Sequence, residues 1–241
     1  MKLPVIEGII RRRILVNFRV EPEVIQKQLP ARLRPKLHEG KAIAGICLVR
    51  LEQIRPKGLP SLLGINSENA AHRIAVTWED ESGATKEGVF IPRRDTGSRL
   101  NALAGGRLFP GEHHFAHFDV VDFNDEISLA MHSSDGLVDL SVRGIVAEIL
   151  PTTSGFASVE DASRFFEPGS IGFSVTKDSK RLDGISLRTK TWSIAPLNVT
   201  AVHSSYFTDA AKFPDGSVHF DCALLMRNIE HEWHSEPDFG I

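Results

Sequence analysis

Short runs of Val, Ile, Phe and Thr recur along almost the whole chain, and residues that favour turns separate them. This pattern is typical of β-strands joined by tight connections. Several connections carry suitable turn chemistry, such as Glu39-Gly40, Ser134-Asp135-Gly136 and Asp215-Gly216. The sequence therefore predicts a mostly antiparallel β protein. We expect strands near residues 9–20, 32–38, 42–54, 71–79, 86–92, 114–122, 126–132, 137–150, 172–177, 184–190, 196–202 and 217–228.

Three helices are predicted between these strands. The first begins at Glu21-Pro22-Glu23, where proline and carboxylates suit the first helical turn, and ends before Pro30. The second covers Ser98–Phe109, and its small residues allow close packing against a sheet. The third begins at Ser158, which can cap a helix, and ends at Pro168-Gly169.

Two segments predict irregular structure instead. Arg55–Asn66 has too much Pro and Gly for a regular element, and enough Leu to pack down as an ordered loop over one mouth of a barrel. The C-terminal run from Ile229 onward predicts a polar cover anchored by Trp233.

Composition narrows the class of protein. The 241 residues carry a net charge of −3, which gives no attraction to nucleic acid or to an anionic membrane. Cys47 and Cys222 each lie within an apolar run, which argues against a disulfide framework or a cysteine metal site. No signal sequence or span of about 18 apolar residues is evident, so we expect a cytoplasmic protein. Nothing in the composition divides residues 1–241, which predicts one domain.

Ionisable residues are concentrated between Gly88 and Val120, among two apolar strands and the small-residue helix. Charges so close to buried strands must be hydrated, paired with opposite charges, or used in binding or catalysis. A guanidinium matches a carboxylate with two parallel hydrogen bonds, so an inward-facing arginine here can hold an organic acid, although a structural ion pair is the plainer alternative. The stretch from Glu87 to Thr176 contains no lysine. The ionisable residues of this stretch include Arg93, Arg94, Asp95, Arg99, Arg107, Glu112, His113, His114 and His117.

The histidines do not predict a metal site. In a strand, His113 and His117 share one face and lie roughly 13 Å apart, while His114 points to the other face. The pair His231 and His234 has the wrong spacing for a zinc-protease helix, which needs two histidines four apart. The sequence also contains no G-x-S-x-G elbow and no glycine-rich phosphate loop. We therefore expect neither a metal nor a cofactor.

Two stretches resemble the YqjF-like bacterial family of unknown function, which is placed in the acetoacetate decarboxylase superfamily. They are NFRVEPEVIQKQLPARLRPKLHEGKAIAGICLVRLEQIRPKGLPSLLG and GVFIPRRDTGSRLNALAGGRLF. The shared features are the helix ending in Leu29-Pro30, the hairpin at Gly40-Lys41, the loop Arg55–Pro60 and the strand-to-helix unit ending at Phe109. The resemblance implies an α+β fold in which a curved antiparallel sheet closes into a cone or barrel around a central cavity, with a few short helices.

The resemblance also shows where this chain departs from the decarboxylases. Those enzymes form a Schiff base on a lysine that follows the helix, beside another cation. Glu112, His113 and His114 stand in the matching stretch here, and a histidine cannot form a persistent imine. Many family members carry His-x-Pro-Trp where this chain has Thr189-Lys190-Thr191-Trp192. Arg11 lies where the decarboxylases have a carboxylate-binding arginine, with the register uncertain by one residue.

These features lead to one expectation and two alternatives. We expect a protein that binds a small carboxylate or ketone and acts on it by acid–base chemistry. Glu112, His113 or His114 is the expected base, and Arg11, Arg94 and Arg99 are the expected substrate anchors. A decarboxylase with a relocated lysine such as Lys190, and a non-catalytic module that kept the fold, remain open. An exposed sheet edge would also allow a homodimer.

Overall fold

A computed structural model describes residues 4–104, 111–176, 181–237 and 239–240. These residues form a single 14-stranded sheet, three short helices and a 3-10 turn at Ser61–Leu63. The helices are α1 (Pro22–Gln26), α2 (Arg99–Ala104) and α3 (Val159–Phe166). The strands are β1 (Ile6–Val20), β2 (Arg34–Pro35), β3 (Leu37–His38), β4 (Lys41–Pro56), β5 (Ile65–Glu79), β6 (Thr85–Thr96), β7 (His113–Phe123), β8 (Glu126–Ser133), β9 (Asp139–Val146), β10 (Ile171–Val175), β11 (Arg181–Thr189), β12 (Ala195–Ser204), β13 (Val218–Ser235) and β14 (Phe239–Gly240).

The sheet closes on itself twice. Strand β6 pairs with β5 as well as with β7 and β10, and β13 pairs with β11 as well as with β1 and β12. The larger ring of hydrogen-bonded strands therefore runs through β6, β7, β8, β9, β12, β13, β1, β4 and β5. The smaller ring runs through β6, β10, β11, β13, β1, β4 and β5. Strands β13, β1, β4, β5 and β6 form a wall that both rings share.

This shared wall is buried on both faces. Alternate residues of a strand point to opposite faces, so Ile14 and Val16 of β1 join the core of the larger ring while Leu15 joins a separate cluster on the other side. Strand β4 behaves in the same way, with Ile46 and Ile43 on opposite faces. A strand buried on both faces needs apolar residues at consecutive positions. The continuous apolar runs of β1 and β4 have this physical cause.

The larger ring is filled with hydrocarbon. Ile127, Leu129 and Met131 of β8 are at most 1% exposed, and they belong to the same cluster as Ile14 and Leu197 from the other side of the ring. Burial of apolar surface stabilises the fold by roughly 25 cal/mol per Å². The larger ring is therefore the main source of hydrophobic stability.

The two rings separate where the strands of the shared wall change partners. In β6, Val89 pairs with Gly172 of β10, whereas Arg94 pairs with His113 of β7. In β13, Leu225 pairs with β12, whereas the strand beyond His231 pairs with β11. The space between the diverging strands lies inside the smaller ring, and α3 packs beside it through Phe165 and Phe166.

The predicted fold class is confirmed: the protein is mostly antiparallel β with a few short helices. The predicted second helix is described only as α2, and residues 105–109 of its expected span lie outside the described part of the chain. The prediction of a polar C-terminal cover was wrong, because β13 continues to Ser235 and its last residues pair with β11. The Arg55–Asn66 loop does not pack down as expected, since Leu62 is 93% exposed. The single-domain interpretation stays a prediction.

Candidate functional site

A cavity of about 200 Å³ lies within the smaller ring. Side chains of β1, β4, β5 and β6 line one side, β10 and β11 line the opposite side, and the residues after α3 complete the wall. The apolar part of the lining includes Val89, Ile91, Leu187, Trp192 and Trp233. A smaller extension of about 90 Å³ shares Arg94 and Trp233 with this cavity and reaches His113.

Three arginines from three strands line this cavity: Arg13 of β1, Arg73 of β5 and Arg94 of β6. Arg13 donates a hydrogen bond from Nε to Cys47 Sγ at 3.3 Å, and Arg94 donates from Nε to Ser174 Oγ at 3.3 Å. Arg73 donates to Asn17 Oδ1 and lies over the ring of Phe166, with its guanidinium carbon 5.0 Å from the ring centroid. Among the described residues, none of the three has a carboxylate within ion-pair distance.

The contact between Asn17 and Arg73 depends on Gly45. Asn17, Gly45 and Arg73 lie side by side on β1, β4 and β5. A Cβ atom on Gly45 would lie 2.1 Å from the carbonyl oxygen of Val16, which no side chain tolerates. Because position 45 has no side chain, the Asn17 amide can reach across β4 to the guanidinium.

The other described arginines that are buried or half-buried are paired with carboxylates, which makes the cavity arginines unusual. Arg12 bonds to Glu68 at 2.7 Å, Arg55 to Glu7 at 2.8 Å and Arg227 to Asp122 at 2.6 Å. Burying an unpaired charge costs free energy, so the cavity arginines lower the stability of the empty protein. Groups arranged at such a cost are typical of binding sites.

Burial shifts the pKa of two of these arginines. The pKa of Arg73 falls to about 10, mainly because burial removes water from the guanidinium, and the nearby charge of Arg13 adds to the effect. Burial also lowers the pKa of Arg94 to about 10. Both groups are still protonated at pH 7. Arg73 Nε and Arg94 Nη2 are buried atoms without a hydrogen-bond partner in the described structure.

His113 lies beside Arg94, because the two residues are paired neighbours on β7 and β6. Burial, and secondarily the charge of Arg94, lowers the pKa of His113 to about 4. A hydrogen bond with the Gly111 backbone acts in the opposite direction. The imidazole is therefore neutral at pH 7 and has a lone pair that can accept a proton.

The expected base candidates are not brought together. His114 points away from His113 and makes an ion-pair contact with Asp135 at 3.1 Å, in a network with Arg93 and Asp95. Glu112 is exposed. Glu112 and His114 line a different crevice, of about 370 Å³, which also borders Arg94.

Two of the three expected substrate anchors lie outside the cavity. Arg11 is the extra residue of a β-bulge, because Ile10 and Arg12 pair with consecutive positions of β4. Its side chain is exposed and bonds to Glu52 at 2.8 Å. Because of the extra residue, Ile10 and Arg13, which are three apart, both line the cavity, whereas Arg11 does not. Arg99 is exposed and lies 5.3 Å from the Phe115 ring, so Arg94 is the one expected anchor that lines the cavity.

The structure does not support Lys190 as the relocated lysine of a decarboxylase. Lys190 is 74% exposed and forms an ion pair with Glu230, which raises its pKa rather than lowering it. Another described lysine, Lys36, lines an adjoining crevice with Arg13 and Arg73. Its ammonium is held by Glu87 at 2.6 Å and by the Phe165 carbonyl at 2.8 Å. No described residue lining the cavity is a lysine.

The sequence interpretation did not name Arg73, and on β1 it named Arg11, whereas Arg13 is the residue that lines the cavity. Arg73 lies in the run Ala70-Ala-His-Arg-Ile74, where a charge within an apolar strand is itself a signal of a buried site. Within the described residues, no group of three or more His, Cys, Asp or Glu side chains is placed to bind a metal ion. None of the described helices is long and apolar enough to cross a membrane.

A comparison with protein families identifies the family of this chain. Residues 10–224 match the model of DUF2071, a family described as an uncharacterized conserved protein. The chain belongs to the DUF2071 family. A comparison with curated proteins finds no match. The family and the fold together confirm the resemblance noted from the sequence.

Solved structures with the same fold are acetoacetate decarboxylase-like. An acetoacetate decarboxylase-like enzyme from Sphingomonas wittichii RW1 has a TM-score of 0.62 at 12% identity, over 99% of this chain and 93% of that one. The acetoacetate decarboxylase of Legionella pneumophila has a TM-score of 0.60 at 10% identity, over 98% and 88%. The enduracididine biosynthesis enzyme MppR, in complex with pyruvate, has a TM-score of 0.58 at 11% identity, over 99% and 90%. At these identities the likeness shows the fold alone.

Proposed function

We propose that this DUF2071 protein binds a small organic acid or ketone in the cavity of the smaller ring and acts on it by acid–base chemistry. The observation that carries the proposal is the set of three cavity arginines without a carboxylate partner among the described residues. An organic acid would supply the missing partner, and its carboxylate would accept hydrogen bonds from the buried guanidinium atoms. The complex of MppR with pyruvate shows that a related fold holds a ligand of this class.

His113 and Arg94 divide the acid–base chemistry between them in this proposal. His113 is neutral at pH 7 and takes a proton from the carbon next to the carbonyl group of the ligand. The C–H bond breaks, its electron pair moves to the carbonyl oxygen, and Arg94 stabilises the resulting enolate. The protonated imidazole then returns the proton to the same or another carbon. Glu112 and His114 are left out of this proposal, because they line a separate crevice.

Binding is tested by calorimetric titration with acetoacetate and pyruvate at pH 7.5. We expect the variants Arg94→Gln and Arg73→Met to lose at least about tenfold in affinity, because each removes a charge-assisted hydrogen bond. Arg164→Gln is the matched control, because Arg164 is 77% exposed and lies outside the cavity lining. If neither acid binds the unmodified protein, the proposed function is wrong.

Chemistry is tested by proton exchange. Pyruvate incubated with the protein in D₂O should exchange its methyl protons, as followed by NMR, and His113→Gln should abolish that exchange while keeping the affinity. Binding without exchange would instead favour the non-catalytic module. Borohydride reduction in the presence of acetoacetate should leave the protein mass unchanged, and a labelled lysine would replace the proposal with imine chemistry.

A further inference from the structure

The arrangement of the arginines says more about the ligand than that it is an acid. We infer that the ligand carries two carboxylates and is a short dicarboxylate, held at both ends of the cavity. This inference rests on the proposed function, because it specifies what the same cavity binds.

The first argument is the charge of the lining. The described lining residues include three cations, Arg13, Arg73 and Arg94, and one anion, Glu167, which is exposed. These residues give a net charge of +2 (three minus one). A single carboxylate would leave one positive charge without compensation in a partly desolvated space, whereas two carboxylates neutralise the site.

The second argument is the position of the three guanidiniums. Arg13 and Arg73 lie at one end, since both line the adjoining crevice beside Phe166 and the charge of Arg13 lowers the pKa of Arg73. Arg94 lies at the other end, where the extension reaches His113. In the strand order β1-β4-β5-β6-β10, the Arg73 guanidinium is held toward β1 by Asn17, whereas the Arg94 guanidinium is held toward β10 by Ser174. The two guanidiniums therefore point away from each other, and we expect a separate carboxylate at each.

The third argument is the apolar part of the lining. Val89, Ile91 and Leu187 line the cavity and have no polar side-chain atoms. Such a surface suits a short hydrocarbon chain between two carboxylates. A volume of about 200 Å³ holds on the order of seven groups the size of a water molecule, which matches a dicarboxylate of four or five carbons.

The buried atoms complete the argument. Arg73 Nε at one end and Arg94 Nη2 at the other are buried and lack hydrogen-bond partners in the described structure. Unsatisfied buried donors are rare in native proteins because each costs free energy. A ligand with one carboxylate at each end satisfies both of these donors.

The test is a matched series of ligands measured by calorimetry at pH 7.5. Succinate and glutarate carry two carboxylates, succinamate replaces one carboxylate of succinate by an amide of nearly the same shape, and butyrate lacks it. We expect succinate or glutarate to bind at least about tenfold more tightly than succinamate and butyrate, because the second carboxylate gains its own charge-assisted hydrogen bonds.

Variants then assign the two ends. Arg94→Gln should lower the affinity for succinate to that for succinamate, and should change the affinity for butyrate less than about threefold if butyrate binds at Arg13 and Arg73. Arg164→Gln should leave the whole series unchanged, and the circular dichroism of each variant reports whether it folds. Equal affinities for succinate and succinamate would overturn the dicarboxylate and leave the proposed function standing. No binding of any acid, including acetoacetate and pyruvate, would overturn both.

Discussion

Cys47 and Cys222 have similar sequence contexts but different environments in the structure. Both lie in apolar runs, which suggests two inert thiols. In the structure, Cys47 lines the cavity and accepts a hydrogen bond from Arg13, whereas Cys222 is fully buried beside Asn17. Burial, and then the charge of Asp221, raises the pKa of Cys222 beyond the range of an ordinary thiol. The reactivity of Cys47 therefore reports on the cavity, and the reactivity of Cys222 reports on the packed interior.

Alkylation of the native protein should modify Cys47 and spare Cys222. The ratio of the iodoacetate rate to the iodoacetamide rate should be higher for Cys47 than for free cysteine. The reason is that the cationic cavity attracts the anionic reagent. Peptide mass spectrometry after timed reaction measures both rates. Arg13→Met should reduce the preference for iodoacetate, and equal reaction of the two cysteines would contradict the cavity.

His72 predicts a loss of stability in mild acid. It is fully buried, its ring lies tilted against Tyr206 with 4.3 Å between ring centroids, and burial lowers its pKa to about 3. The unfolded chain binds a proton near pH 6.5, while the folded chain does not bind it until the pH is far lower. Above pH 6.5, His72 therefore causes no pH dependence of the free energy of unfolding. Below pH 6.5, the free energy of unfolding decreases as the pH falls.

Urea unfolding at pH 7.0 and pH 4.5 measures this effect. His72→Phe keeps an aromatic ring beside Tyr206 and cannot titrate. Between pH 7.0 and pH 4.5, its free energy of unfolding should therefore fall by about 2 to 3 kcal/mol less than that of the unmodified protein. His203→Gln, at an exposed position, serves as the control and should leave the pH dependence unchanged. An unchanged pH dependence in His72→Phe would mean that water reaches the imidazole.

At the scale of elements, the shared wall determines which residues meet. Gly45 of β4 lets Asn17 of β1 reach Arg73 of β5, so one small residue joins three strands around the cavity. Gly45→Ala would place a methyl group against the Val16 carbonyl and push β1 away from β4. The effect should exceed the usual cost of a surface substitution, because backbone rather than a flexible side chain must move.

We expect Gly45→Ala to lower the free energy of unfolding by roughly 2 to 4 kcal/mol, in the range of the severe single substitutions. Chemical denaturation measures the change. Gly97→Ala is a suitable control, because its added Cβ would lie 3.4 Å from the nearest atom, Phe118 Cδ2, which is an ordinary contact distance. A change below about 1 kcal/mol for Gly45→Ala would show that β1 and β4 adjust without strain.

The elements also explain what the sequence could and could not predict. Alternating and continuous apolar runs identified β1, β4, β7 and β8, because a local pattern fixes which face of a strand is buried. The bulge at Arg11 was not visible, because it depends on how two neighbouring strands pair. That single extra residue takes Arg11 out of the cavity wall, whereas Arg13 lines the cavity. The pairing of β13 with β11 is likewise a long-range contact that turned an expected polar tail into a strand.

At the scale of the whole molecule, the two rings have different interiors. Hydrocarbon fills the larger ring, whereas the smaller ring holds an arginine-lined cavity. The expectation of one central hollow therefore applies to one ring only. This division separates the part that supplies stability from the part that carries unpaired charge, so the cost of the cavity does not fall on the main core. Association of two copies through a sheet edge stays a prediction.

A pair of substitutions tests this division of roles. Leu129 in the larger ring is 1% exposed, so Leu129→Ala should lower the free energy of unfolding by about 2 to 5 kcal/mol, while the protein that remains folded keeps its affinity for the organic acid. Ala71 lines the cavity in the smaller ring, so Ala71→Leu should fill the space and abolish binding at a cost below about 1.5 kcal/mol. Denaturation curves and calorimetry on both variants give the four measurements. If Ala71→Leu lowered stability as much as Leu129→Ala, the smaller ring would be packed in solution, and the arginines would have no room for a ligand.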